Sequence, residues 1–443
     1  MVRTSIIAVA LAAASTVIAQ NCGLKSKCPK ATPCCSQYGA CGTGAYCLGG
    51  CDPLSSFSLD ACVPAPVCKG QKFEFKNMDG ITDETKYLGD SSKTDWVASG
   101  KPTIFNDNLL LTMPPDSVGT LLASSTYMWY GNVKARFKTS RGVGVVTAFI
   151  LLSDVKDEID YEFVGVDLKT AQSNFYFHGI PDYHNSQNIS LTDTFSTFHT
   201  YEIQWTPDTV TWLIDGQEGR VLERKKTFNA TTNQYMFPQT PARVQLSLWP
   251  GGLPTNGKGT IDWAGGLVDW TNAVDIKNNG YYYATFDWVE ISCYDAGSSS
   301  LGSNKGTSYT YNNEAGTNNT VVLGDKKTVL KSLLGTGLDM DAGDSSASSS
   351  GTKPANTAGL VPGLNGADPR PGADSHESSA GSSDPSATAG ASPSPTGASD
   401  GQFNQGASSS SKSGADKLAG SQEKVLKGSV FAGIVAVVAM MAL

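Results

Sequence analysis

Residues 145–166, VVTAFILLSDVKDEIDYEFVGV, decide the fold. The run is dominated by β-branched and aromatic residues, which suit a pleated, half-buried strand better than a helix. Within it Glu158, Asp160 and Glu162 recur at every second position, with Ile159 and Tyr161 between them. A strand turns successive side chains to opposite faces, so the three carboxyls share one face and Ile159, Tyr161 and Phe163 share the other. Three acids abreast repel one another. Folding gains nothing from that arrangement, so an external cause is expected.

The rest of the central region reads the same way. In Gly131–Lys138, Val133, Ala135 and Phe137 alternate with Lys134, Arg136 and Lys138. His199, Tyr201, Ile203 and Trp205 alternate with Thr200, Glu202 and Gln204. Residues 209–223, TVTWLIDGQEGRVLE, are two strands about an Asp215-Gly216 turn, and ATFDWVEISC (284–293) is a late strand. Many short strands over residues 69–296 predict an all-β sandwich or jelly roll. Trp205 and Trp212, on alternating strands, are assigned to its core. No phosphate-cradling loop is present, and the four histidines lack metal-ligand spacing.

Glycoside hydrolysis explains paired carboxyls on one face. A retaining mechanism needs two of them about 5 Å apart, one as nucleophile and one as acid then base. Glu158 and Glu162 lie about 13 Å apart along the backbone, and side chains leaning inward close most of that gap. Asp160, between them, would keep their proton affinities apart. A solvated acidic face and a calcium site are the competing readings.

The ends set the compartment. Residues 1–19 combine a basic Arg3, a short apolar core and a Val-Ile-Ala site, the pattern of a secretory signal. Residues 413–443 place small residues, a polar spacer and an uncharged apolar tail in the order of a glycosylphosphatidylinositol (GPI) signal, with Ser413 and Gly414 as candidate attachment residues. Residues 297–412 are rich in Ser, Gly and Ala and read as a disordered stalk, although KKTVLKSLLG (326–335) has a helical look. Sequons stand at Asn188, Asn229 and Asn318. The net charge of −8 argues against a nucleic-acid partner. Nine of the ten cysteines crowd into residues 22–68, a disulfide framework in a secreted chain.

The segment DEIDYEFVG (157–165) resembles the E-x-D-x-E signature of glycoside hydrolase family 16. YGNVKARFKTSRGVGVVTAFILLSD, HTYEIQWTPDTVTWLIDG, TPARVQLSLWPGG and GTIDWAGG resemble the fungal Crh (congo-red hypersensitive) branch of cell-wall transglycosylases, over about residues 71–296. The resemblance implies a jelly roll with a concave glycan cleft, Glu158 as nucleophile, Glu162 as acid/base and Asp160 assisting. It also implies sugar contacts from Trp249, Thr260 and Trp263. Arg243 and Gln245, on the strand leading to Trp249, are candidates for the same cleft, since sugars stack on aromatic rings and need polar partners for their hydroxyls.

CGLKSKCPKATPCCSQYGACGTGAYC (22–47) resembles a hevein-like chitin-binding module, within a disulfide-rich segment 20–68. That likeness implies the pairs Cys22–Cys35, Cys28–Cys41 and Cys34–Cys47, and a binding surface of Ser36, Tyr38 and Tyr46. Ala40 stands where an aromatic platform is usual. The remaining Cys51, Cys62, Cys68 and Cys293 allow three connectivities.

The expectation is a monomeric, secreted enzyme, GPI-anchored at the plasma membrane or cell wall and needing no cofactor. It would cleave a chitin donor and pass the chain to a β-glucan acceptor. A plain endo-β-glycan hydrolase and a non-catalytic chitin-binding wall protein are the alternatives.

Overall fold

The computed structural model describes residues 20–344 and Val361. The expected signal peptide, most of the stalk beyond residue 344, and Ser413 and Gly414 lie outside the described residues.

Two eight-stranded sheets form the body. The first runs Gln187–Ser190, Thr170–Tyr176, Glu158–Val164, Val145–Ser153, Ala242–Pro250, Thr120–Ser124, Trp96–Ser99, Ile81–Asp83. The second runs Gln217–Glu223, Thr209–Ile214, His199–Trp205, Gly131–Lys138, Tyr282–Cys293, Asn108–Met113, Lys101–Phe105, with Gln71–Glu74 also paired to Tyr282–Cys293. Within the two sheets only Ile81–Asp83 and Trp96–Ser99 pair in parallel. This is the all-β, jelly-roll type of sandwich expected from the alternation.

The alternation also locates the core. Val133, Ala135, Phe137, Tyr201, Ile203, Trp205 and Trp212 from one sheet meet Phe149, Leu151, Ile159, Tyr161 and Phe163 from the other. Phe137 lies 4.3 Å from the Tyr201 ring centre, 4.7 Å from Phe286 and 5.5 Å from Phe163. Such aromatic contacts add to the area buried between sheets stacked about 10 Å apart. At the 214–217 hairpin, Asp215 and Gly216 have φ of 51° and 78°. That left-handed pair matches the strand twist, and Asp-Gly tolerates it at low cost.

Three expectations need revision. Residues 297–344, assigned by composition to the stalk, are folded: Ser308–Tyr311 pairs with Val321–Gly324 on one side and Ala65–Pro66 on the other. Tyr309 enters the main core. A few well-placed apolar residues, rather than average composition, anchor this segment. Second, residues 326–335 form no helix, because Leu330 is buried in an extended stretch against Tyr87 and Leu48. Third, residues 20–68 are not set apart from the body. Cys34, Ala40, Tyr46, Cys47, Leu48 and Cys51 share one apolar cluster with Tyr87 and Leu330.

The disulfides are Cys22–Cys35, Cys28–Cys41, Cys34–Cys47, Cys51–Cys62 and Cys68–Cys293. The last joins the small module's exit to the end of strand Tyr282–Cys293.

Candidate active site

The carboxyl segment is a strand, Glu158–Val164, third from one edge of its sheet. Ile159, Tyr161 and Phe163 face the sandwich core, which turns Glu158, Asp160 and Glu162 to the outer face. The three are nonetheless only 2%, 0% and 2% exposed. They form a floor row on that face, covered by neighbouring side chains.

Register gives that floor its order. Glu158 stands opposite Leu152 and Tyr176, and Leu152 opposite Arg243. Asp160 stands opposite Ile150 and Asn174, and the row continues through Gln245, Ala123 and Val97. Glu162 stands opposite Ala148 and Gln172, and its row continues through Ser247, Leu121 and Ser99. Ala148, Ile150 and Leu152 form a small apolar patch of their own beside the acids. Each carboxyl therefore has an aliphatic neighbour on one side and a polar one on the other.

Tyr176, Asn174 and Gln172 went unremarked in the sequence. The signal was available: in TAQSNFY (170–176) they recur at every second position, as the acids do in the paired strand.

Electrostatics follow from burial. Glu158 is pushed well above the ordinary carboxyl range by burial, reinforced by the charges of Asp160 and Glu162. Burial lifts Asp160 to about 7, against the pull of the Arg220 guanidinium. Among the described residues, neither oxygen of Asp160 has a hydrogen-bond partner of ordinary geometry. Glu158 and Asp160 hinder each other's ionisation, so their proton equilibria are linked. One ionised and one protonated carboxyl on the same face is the state acid–nucleophile chemistry requires.

Aromatic residues stand at the Glu162 end of this row. Trp249 stacks on Trp263, ring centres 6.0 Å apart and planes 29° apart. Trp263 ends the helix Lys258–Trp263, and its indole nitrogen donates a 2.8 Å hydrogen bond to Gln172 Oε1. Among the described residues, the Trp249 indole N–H has no hydrogen-bond partner. Thr260 is buried in the same helix, whereas Arg243 and Gln245 lie on the floor rows.

Among the described residues, the only three or more potential ligands with atoms mutually within 4.8 Å are Cys22, Cys28 and Cys35, all in disulfides. The exposed-face reading fails on burial.

Asp157 is a further residue that the sequence did not single out. Its Oδ2 accepts from Gln239 N (2.9 Å), Thr240 N (3.1 Å) and Thr240 Oγ1 (2.7 Å), and its Oδ1 from His178 N (3.1 Å). It faces the loops, not the groove, and fixes the entry to the carboxyl strand.

The residues of the small module fall elsewhere than a free lectin face requires. Tyr46 and Ser36 are 3% exposed, and only Tyr38 is partly open. Ser36, Tyr38 and Tyr46 line a recess shared with Val97, Ala123 and Arg243 of the sheet. Of the sequons, Asn188 is exposed on the edge strand, whereas Asn229 and Asn318 are half-buried.

Residues 90–265 match glycosyl hydrolases family 16. Over the full length of both chains, this one is 62% identical to Crh-like protein 3 of Botryotinia fuckeliana. It is 47% identical to Congo red hypersensitive protein 2 of Saccharomyces cerevisiae, over 74% of this chain and 70% of that one. Among solved structures it is similar to the apo Crh5 transglycosylase, with 29% identity, a TM-score of 0.49, and coverage of 59% of this chain and 97% of the other.

Proposed function

The chain belongs to the Crh-like proteins of glycosyl hydrolases family 16, and from that membership we propose that it is an extracellular retaining transglycosylase of the fungal cell wall. Chitin is the donor and β-glucan the acceptor. The observation that carries the chemistry is the single buried row of Glu158, Asp160 and Glu162 on the outer face of one strand.

In the first step Glu158, its proton passed to the neighbouring Asp160, attacks the anomeric carbon as a carboxylate while the glycosidic C–O bond breaks. Glu162 gives its proton to the departing oxygen, leaving a glycosyl ester on Glu158. In the second step the Glu162 carboxylate takes the proton of an acceptor hydroxyl. The acceptor oxygen displaces Glu158, and two inversions retain the anomeric configuration. Asp160, holding a proton near neutrality, lowers the repulsion between the outer acids and keeps their affinities apart. Trp249 and Trp263 offer ring faces to sugar C–H surfaces, while Arg243 and Gln245 serve hydroxyls. The anchor would keep the enzyme at the wall, raising its local concentration there.

The discriminating experiment incubates the secreted protein with chitin oligosaccharides and a labelled β-glucan oligosaccharide. Labelled hybrid supports transfer; shortened chitin alone supports hydrolysis. Chitin retention without any product supports the non-catalytic reading.

A further inference from the structure

The geometry points to the small N-terminal module as a fixed wall of the catalytic groove: Gln37 and Tyr38 form its distal glycan subsites, in place of a separate chitin-binding head. This deepens the proposed function and rests on its premise that the groove takes a β-linked glycan.

The module is locked in place. Gly50 N donates to both Tyr127 Oη (2.9 Å) and Asp154 Oδ1 (3.0 Å), and Tyr127 Oη donates to Asp154 at 2.6 Å. All of these are buried, and the apolar cluster around Tyr46 and Leu48 runs on into Tyr87 of the body. Swinging the module away would strand these polar groups without partners. Close approach is built into the backbone. Gly50 has φ of +87°, and a Cβ there would come within 2.6 Å of Gln37 Oε1. The positive φ favours glycine here, and the Gln37 end lies close enough to touch it.

The locked module presents Gln37 to the floor. Its Oε1 accepts from Arg243 Nη2 at 3.0 Å and from Gln245 Nε2 at 3.4 Å. Beside it opens a small recess lined by Gln37, Tyr38, Val97, Leu121, Ala123 and Arg243. Val97 and Ala123 belong to the row of Asp160, and Leu121 to the row of Glu162. The recess is thus the far end of the rows that hold the acids. Each strand crossed advances about 4.8 Å, close to one sugar of a β-linked chain, so Gln37 and Tyr38 meet a chain about two to four sugars from the reacting bond. An amide, a guanidinium whose Nε has no partner among the described residues, and a half-exposed tyrosine ring are suited to sugar hydroxyls and a pyranose face.

The test uses the full secreted chain carrying Glu158→Gln, so that binding is measured without turnover. Calorimetric titration compares short (di- and trisaccharide) with long (hexa- to octasaccharide) chitin and β-glucan oligomers. Adding Gln37→Ala and Tyr38→Ala should weaken the long oligomers of the bound series about tenfold and leave short ones within about twofold. Tyr38→Phe, which keeps the ring, should restore most of the loss, with unchanged thermal unfolding showing that the module still folds. Equal loss at every length, no loss, or tighter binding of short oligomers (the mark of a plug) would overturn the wall assignment while leaving the groove intact. If the parent protein bound neither series, the proposed function would fall, and the wall assignment with it.

Discussion

The indole nitrogen of Trp212 donates a 3.0 Å hydrogen bond to the backbone carbonyl of Asp160, so the carboxyl strand is tied from behind to the opposite sheet. Arg220 lies over the same indole, 4.5 Å from a ring centre, and donates to Ser173 O at 2.8 Å in the neighbouring strand. A core aromatic and a buried cation thereby set the height of the acid row and part of its electrostatics.

Trp212→Phe should separate packing from positioning. It keeps an aromatic ring in the core but deletes the donor and some volume, at a cost of about 2 kcal/mol in denaturant unfolding. Activity should fall more than binding of oligosaccharide, because the strand remains but its acids lose their support. Unchanged kcat would mean that the bond is structural only.

Asp160 carries a pH signature. Its folded-state pKa of about 7 exceeds the unfolded value of about 4, so the folded protein holds a proton that the unfolded chain releases. Stability contributed by this group is therefore greatest in mild acid and is lost as pH rises between about 4 and 7, and Glu158 acts in the same sense. Asp160→Asn should remove the penalty, on the order of 2–4 kcal/mol at neutral pH, with little effect near pH 4. Activity should drop about a hundredfold. Denaturant midpoints across this range check the sign; a variant less stable at neutral pH contradicts it.

Asp157 should behave differently from its neighbours. Asp157→Ala leaves three backbone N–H groups and the Thr240 hydroxyl without their acceptor. The expected loss is about 3–5 kcal/mol, with the unfolding midpoint falling at every pH and residual activity per folded molecule largely kept. A variant that folds normally but is inactive would move Asp157 into the chemistry.

The fold was legible because strand alternation and turn residues are local. Val133, Ala135 and Phe137 could face inward on only one register, and Asp215-Gly216 could hardly be other than a hairpin. The acid row was legible for the same reason, its period of two being written into Glu158, Asp160 and Glu162. What escaped depends on residues far apart in the chain. Gln37 meets Arg243 across 206 positions, and nothing near either residue announces it. Residues 308–324 looked like stalk because their average composition is polar, yet Tyr309, Val321 and Leu323 reach the core. Tyr46 looked like a sugar ligand because its packing against Leu330 is invisible in one dimension.

The most direct test of the account is to trap the covalent intermediate with a slow activated chitin-oligosaccharide donor and map the modified residue by mass spectrometry. Trypsin, cutting after Lys156 and Lys169, should release peptide 157–169 carrying one glycosyl mass, on Glu158. The adduct should vanish in Glu158→Gln and disappear on adding acceptor. A label on any other residue, or unlabelled enzyme that still forms product with inverted configuration, would contradict it.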